Sequence, residues 1–126
     1  MDLNDIQKIL IERDDALSLR VLGFLKDNPL GLTRARLAAL VYPAAVTVSA
    51  GMDRNARRAI KRLRDLGLVI ISSTDKAGYR LATDDDTLIV RRYAQQQYKA
   101  ARSRIATASK VLKAYGLKDK LRLSGV

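Results

Sequence analysis

The sequence predicts a mainly α fold with one small β-hairpin and a long C-terminal helix. Three observations carry that expectation. Apolar residues recur at spacings near 3.6 in separate stretches before residue 67. One β-branched run, Leu68-Val69-Ile70-Ile71, is followed by a turn-rich loop and a short returning segment, Tyr79-Arg80-Leu81-Ala82. From Ala94 to Tyr115 the apolar and small residues then keep a 4-3 alternation, the signature of a heptad seam.

Each element follows from local chemistry. Leu3, Ile6, Leu10, Leu17, Val21 and Phe24 mark residues 3–27 as helical, as one helix or as two with Asp14 or Asp15 capping a second from Ala16. Asn28-Pro29-Leu30-Gly31 stops that run. Thr33 stands as the N-cap of a short helix through Leu37, Leu40 and Val41, which Pro43 ends by forcing Tyr42 towards extended backbone. Residues 44–51 read as weakly β-like. The strongest local pattern is Asp53 to Gly67, where Ala56, Ala59, Ile60, Leu63 and Leu66 share one helical face and Gly67 suits the left-handed C-terminal position. Ser72 to Gly78 forms the loop between the two strands. Thr83 and Asp86 have capping-box spacing, and Asp84, Asp85 and Asp86 suit the positive end of a helix dipole. The last helix is therefore expected from Asp84 to Tyr115, about 48 Å long, with Gly116 as its stop. The domain reading is an N-terminal helix with a helix-and-hairpin domain over 1–82, a long heptad-patterned helix over 83–116, and a basic tail over 117–126.

Composition bounds the function. The chain has 126 residues and 48% apolar content, enough for a core. Cys and His are both absent, which excludes disulfides, Cys/His zinc sites, thiol nucleophiles and imidazole bases. No Gly-rich phosphate-cradling motif occurs. The expectation is a non-enzyme without cofactor or metal, the three consecutive aspartates being read as helix caps. Five Tyr, one Phe and no Trp, widely spaced, read as packing residues and give no aromatic platform for single strands. The acidic start Met1-Asp2-Leu3-Asn4-Asp5 and the lack of a bilayer-length apolar run favour a cytoplasmic protein with no membrane partner.

Charge is the most informative property. Formal net charge is +11, from 24 basic and 13 acidic residues. Residues 1–52 hold six of each sign, so the whole excess lies in residues 53–126. Such asymmetry points to a polyanion partner for the second half. On the wheel of the 53–67 helix, Arg54, Arg58 and Lys61 face away from the apolar side. Arg57 and Arg64 flank that stripe on one side, Asn55 and Arg62 on the other. Arg binds guanine and Asn binds adenine in bidentate fashion, and Arg and Lys also neutralise phosphates. The expected base- and backbone-contacting residues are Arg54, Asn55, Arg57, Arg58, Lys61 and Arg62. In the hairpin, Ser73, Thr74, Lys76 and Arg80 are the expected phosphate or minor-groove contacts, with Ser72 beside them.

The order of these segments resembles a known family. Leu32-Thr33-Arg34-Ala35-Arg36-Leu37-Ala38-Ala39-Leu40, then Arg57 to Gly67, then Gly78-Tyr79-Arg80-Leu81, are similar to the winged helix-turn-helix domains of bacterial and phage DNA-binding regulators. The match covers roughly residues 15–82. The resemblance implies a basic helix in the major groove, a hairpin wing on the backbone or minor groove, and a regulator or DNA-transaction accessory factor of phage or mobile-element origin. The sequence departs from the family in its inter-helix connection: Tyr42 to Met52 is eleven residues, where three or four are usual. An adaptor that docks an acidic protein, and an RNA-binding protein, are the alternative functions.

The final helix carries the remaining pattern. Tyr98, Ala101, Ile105, Ala108 and Leu112 form the seam, continued by Ala94 and Tyr115. Its occupant is either a second copy, giving a homodimer, or the chain's own N-terminal helix. Arg102 and Arg104 flank the seam without acidic partners on the same helix, whereas residues 1–15 hold five acidic residues against Lys8 and Arg13.

Overall fold

Side-chain caps decide where most of the helices begin. In the computed structural model, which describes residues 3–72 and 78–118, α1 (Leu3–Glu12) and α2 (Ala16–Asp27) are separate helices. Asp14 breaks the run by adopting a positive φ of 55°, a region Asp tolerates better than most residues. Asp15 then caps α2, its carboxylate accepting from the Ser18 amide at 3.1 Å. Thr33 caps α3 (Arg34–Val41) by accepting from the Arg36 amide at 3.1 Å. Ser49 caps α4 (Ala50–Asp65) by accepting from the Met52 amide at 3.2 Å. Gly67, with φ of 101°, turns the chain out of α4.

Two expectations around α4 need correction. The 44–51 segment forms no strand: it is a loop whose last residues already belong to the helix. The Ser49 cap moves the helix start three residues ahead of Asp53, so the connection between α3 and α4 is eight residues long, 42–49, instead of eleven.

The hairpin follows α4. Strands β1 (Ile70–Ser72) and β2 (Tyr79–Leu81) pair antiparallel, Ile70 with Leu81, Ile71 with Arg80 and Ser72 with Tyr79. The first strand begins two residues later than its β-branched run, although the Ala82 amide still reaches the Val69 carbonyl at 2.9 Å. Leu32 adds a one-residue bridge to the outer edge of β2, with Tyr79 donating at 2.7 Å and accepting at 2.9 Å.

The chain divides into two compact units, Met1–Asp85 and Asp86–Val126. In the first, α2 is central and meets α1, α3, α4 and β2. Its core joins Ile6 and Leu10 of α1, Val21, Leu22 and Leu25 of α2, Leu37 and Val41 of α3, and Ala59, Ile60 and Leu63 of α4, with Leu32, Leu68 and Ile70 from the hairpin side. The second holds α5 (Thr87–Ala114), which follows one 3-10 turn, Asp84–Asp86, at the boundary of the two units. The capping position thus passes from the expected Thr83 to Asp86, and the helix is shorter, about 42 Å. Gly116 takes a φ of 69° just beyond its end, as expected from the sequence. No helix among the described residues is long and apolar enough to cross a membrane.

Candidate nucleic-acid interface

The α4 helix is divided by its own periodicity into a buried side and an outward side. Ala56, Ala59, Ile60 and Leu63 are buried. Arg54, Arg58 and Lys61 are exposed and lie within an arc of about 60° at 100° per residue. Among the described residues, Arg54 and Arg58 form no ion pair. Lys61 meets Asp65 one turn on, at 3.2 Å, with both side chains more than 60% exposed. A pair that exposed holds its lysine weakly.

The flanking basic residues are held by the protein itself. Arg62 donates through Nε to Asp15 Oδ2 at 2.9 Å and to the Ser18 hydroxyl at 3.0 Å, which pins α4 to the start of α2. Arg64 donates through Nη2 to the Ile70 carbonyl at 2.6 Å and to the Ser72 hydroxyl at 2.7 Å, which fixes α4 to β1. Arg57 and Arg34 converge on Asp53, at 3.1 and 2.7 Å. Asn55 donates to the Tyr42 hydroxyl at 3.3 Å. Of the six α4 residues expected to contact DNA, the outward face therefore presents Arg54, Arg58 and Lys61, while Asn55, Arg57 and Arg62 also make contacts within the protein.

These contacts bear on two carboxylates. Burial pushes the Asp15 carboxyl up, but hydrogen bonds from Ser18 and the Arg62 guanidinium outweigh it and hold the group below its ordinary 3.8. The Arg34 hydrogen bond, opposed by partial burial and helped by the charges of Arg34 and Arg57, holds Asp53 below the same value. Both aspartates thus stay ionised and keep their arginines in place near neutral pH.

On the hairpin, Arg80 lies in β2 opposite Ile71 and is half-buried. Ser73, Thr74 and Lys76 lie outside the described residues. Arg36, in the first turns of α3, is also exposed and forms no ion pair among the described residues, although its sequence position did not mark it as a contact. Its position two residues from Arg34 gave no periodic signal to separate it from its paired neighbour.

On α5, the seam residues Ala101, Ile105, Ala108 and Leu112 are half-buried and Tyr98 is 42% exposed. Ala94 and Tyr115, at the ends of the seam, are exposed. Arg102 lies over the Tyr98 ring at 5.9 Å from its centre.

No protein-family model, curated protein or solved structure matches the chain.

Proposed function

We propose that the protein binds duplex DNA through a winged helix-turn-helix, with α3 and α4 as the helical pair and the β1–β2 hairpin as the wing. One observation carries this reading: the outward face of α4 presents Arg54, Arg58 and Lys61 side by side, on a helix whose opposite face is locked into the core. A rigid helix with a one-sided cationic face suits groove binding, because its side chains reach base edges and phosphates without ordering a loop. The element order supports the same reading, as does the small sheet that Leu32 extends beside β2. Arg62 and Arg64 serve it indirectly, by fixing the angle of α4 against α2 and β1. The role is that of a transcriptional regulator or a DNA-transaction accessory factor.

A homodimer through the α5 seam completes the proposal. Tyr98, Ala101, Ile105, Ala108 and Leu112 alternate small and large residues, which lets two helix backbones approach closely. Two copies related by a two-fold axis favour inverted half-sites one helical repeat apart. Selection of bound fragments from a random duplex pool, followed by sequencing, tests the reading. An enriched inverted half-site is the expected result. A protein that retains no duplex from the pool would overturn it.

A further inference from the structure

Most of the chain's charge lies outside the unit that holds α4. Residues 86–126 contain ten basic and two acidic residues, a net of +8 out of +11. Between Thr87 and Ala114, α5 has seven basic residues and no acidic one. All seven are exposed. Six of them, Arg91, Arg92, Lys99, Arg102, Lys110 and Lys113, fall within an arc of about 100° on one flank of the seam. The seventh, Arg104, lies on the other flank.

We infer that this stripe is a second nucleic-acid contact, which lies along the phosphate backbone of a duplex and supplies affinity independent of sequence. The inference rests on the duplex-binding reading above and adds to it a site outside the helical pair. An ordinary solvated helix alternates charge sign, since i, i+4 pairs of opposite sign stabilise it and like pairs repel. This helix forgoes every such pair. Arg91 and Lys113 are about 33 Å apart along the axis, close to the rise of ten base pairs at 3.4 Å each. Six cations over that length meet a duplex carrying about one charge per 1.7 Å.

Other polyanions fit less well. A single strand needs aromatic faces in series, and the stripe itself contains none; Tyr98 lies at its edge beneath Arg102. A helix that lies on an anionic bilayer opposes its basic face with bulky apolar residues such as Trp, Phe and Leu. Here Phe and Trp are absent from α5, Ala makes up much of the apolar side, and the cations crowd one flank.

The test is the salt dependence of binding to a 30-bp random-sequence duplex, measured by fluorescence anisotropy. The variant is Arg92→Gln, Lys99→Gln, Lys110→Gln, Lys113→Gln, which keeps good helix formers and leaves the seam intact. Log affinity against log salt should become shallower by about 3.6. The charge-retaining variant Arg92→Lys, Lys99→Arg, Lys110→Arg, Lys113→Arg should keep the wild-type slope. Should the fourfold variant lose helicity, Lys110→Gln, Lys113→Gln alone should flatten the slope by about 1.8. A wild-type slope in a fully helical glutamine variant overturns the inference and leaves the α4 reading standing. Loss of sedimentation with phosphatidylserine vesicles, without change in the duplex slope, overturns it in favour of a lipid surface. A wild-type protein with no salt-dependent duplex binding overturns both readings.

Discussion

Arg62, in the last turn of α4, reaches back 47 residues to Asp15, its Nε 2.9 Å from the carboxylate that caps α2. The same nitrogen also meets the hydroxyl of Ser18, which is fully buried. Replacing Arg62 with Ala should therefore lower stability by about 1 kcal/mol, since the pair is only partly shielded from water. Duplex affinity of the folded variant should fall less than in Arg58→Ala. Thermal melts and anisotropy titrations of both variants check this, and a larger binding loss in Arg62→Ala would return that residue to the DNA-facing set.

Asp53 holds Arg34 and Arg57 together at the junction of α3 and α4. Its carboxyl, like that of Asp15, is held below 3.8 in the folded protein. A group with a depressed folded value stabilises the fold above its unfolded value, and that contribution is lost as pH falls through the folded value. The double variant Asp15→Asn, Asp53→Asn should thus melt below wild type at pH 7, and the gap should close below pH 3.8. A gap of constant size from pH 7 to pH 2.5 would contradict the assignment.

Much of the fold was legible because its signals are local. The Asp15 and Thr33 caps, the Gly67 stop and the antiparallel hairpin each rest on residues within a few positions of one another. What the sequence hid depends on contacts between distant residues. The buried face of α2 is Ser18, Val21, Leu22 and Leu25, whereas Leu17 and Phe24 are only partly buried: the packing of α1, α3, α4 and β2 on α2 turns the buried stripe away from the one that Leu17, Val21 and Phe24 mark. The Leu32 bridge to Tyr79 joins residues 47 apart and has no periodicity to announce it. In the candidate site, the outward stripe of Arg54, Arg58 and Lys61 was readable from the wheel. The engagement of Arg62 and Arg64 was not, since their partners lie on α2 and β1.

Gly78 enters β2 with a φ of 59°, and a Cβ there would overlap the Leu32 carbonyl oxygen and lie 2.6 Å from Thr33 Cα. Gly78→Ala should cost about 2–4 kcal/mol, from left-handed strain and from overlap with backbone that cannot move aside. Gly67→Ala, at φ of 101° but with open space around it, should cost about 1–2 kcal/mol from strain alone. Denaturant melts rank the two, and equal losses would contradict the close approach at Leu32.

The α5 seam gives a prediction about mass. Light scattering at tens of micromolar should find two chains for wild type and one for Ile105→Asp, Leu112→Asp, because a paired seam does not accept charge at both positions. A single-chain mass for wild type would refute the dimer.

The central claim is that the outward face of α4 contacts duplex DNA. It is tested most directly by titrating a duplex with wild type and with Arg54→Ala, Arg58→Ala, Lys61→Ala at several salt concentrations, with helicity followed by circular dichroism. The variant keeps every core residue and the Arg62 and Arg64 contacts, so its helicity should match wild type. Its salt slope should be shallower by about 2.7, and its affinity near 0.1 M salt about 100-fold weaker or more. Wild-type affinity and slope in the fully helical variant would contradict the account.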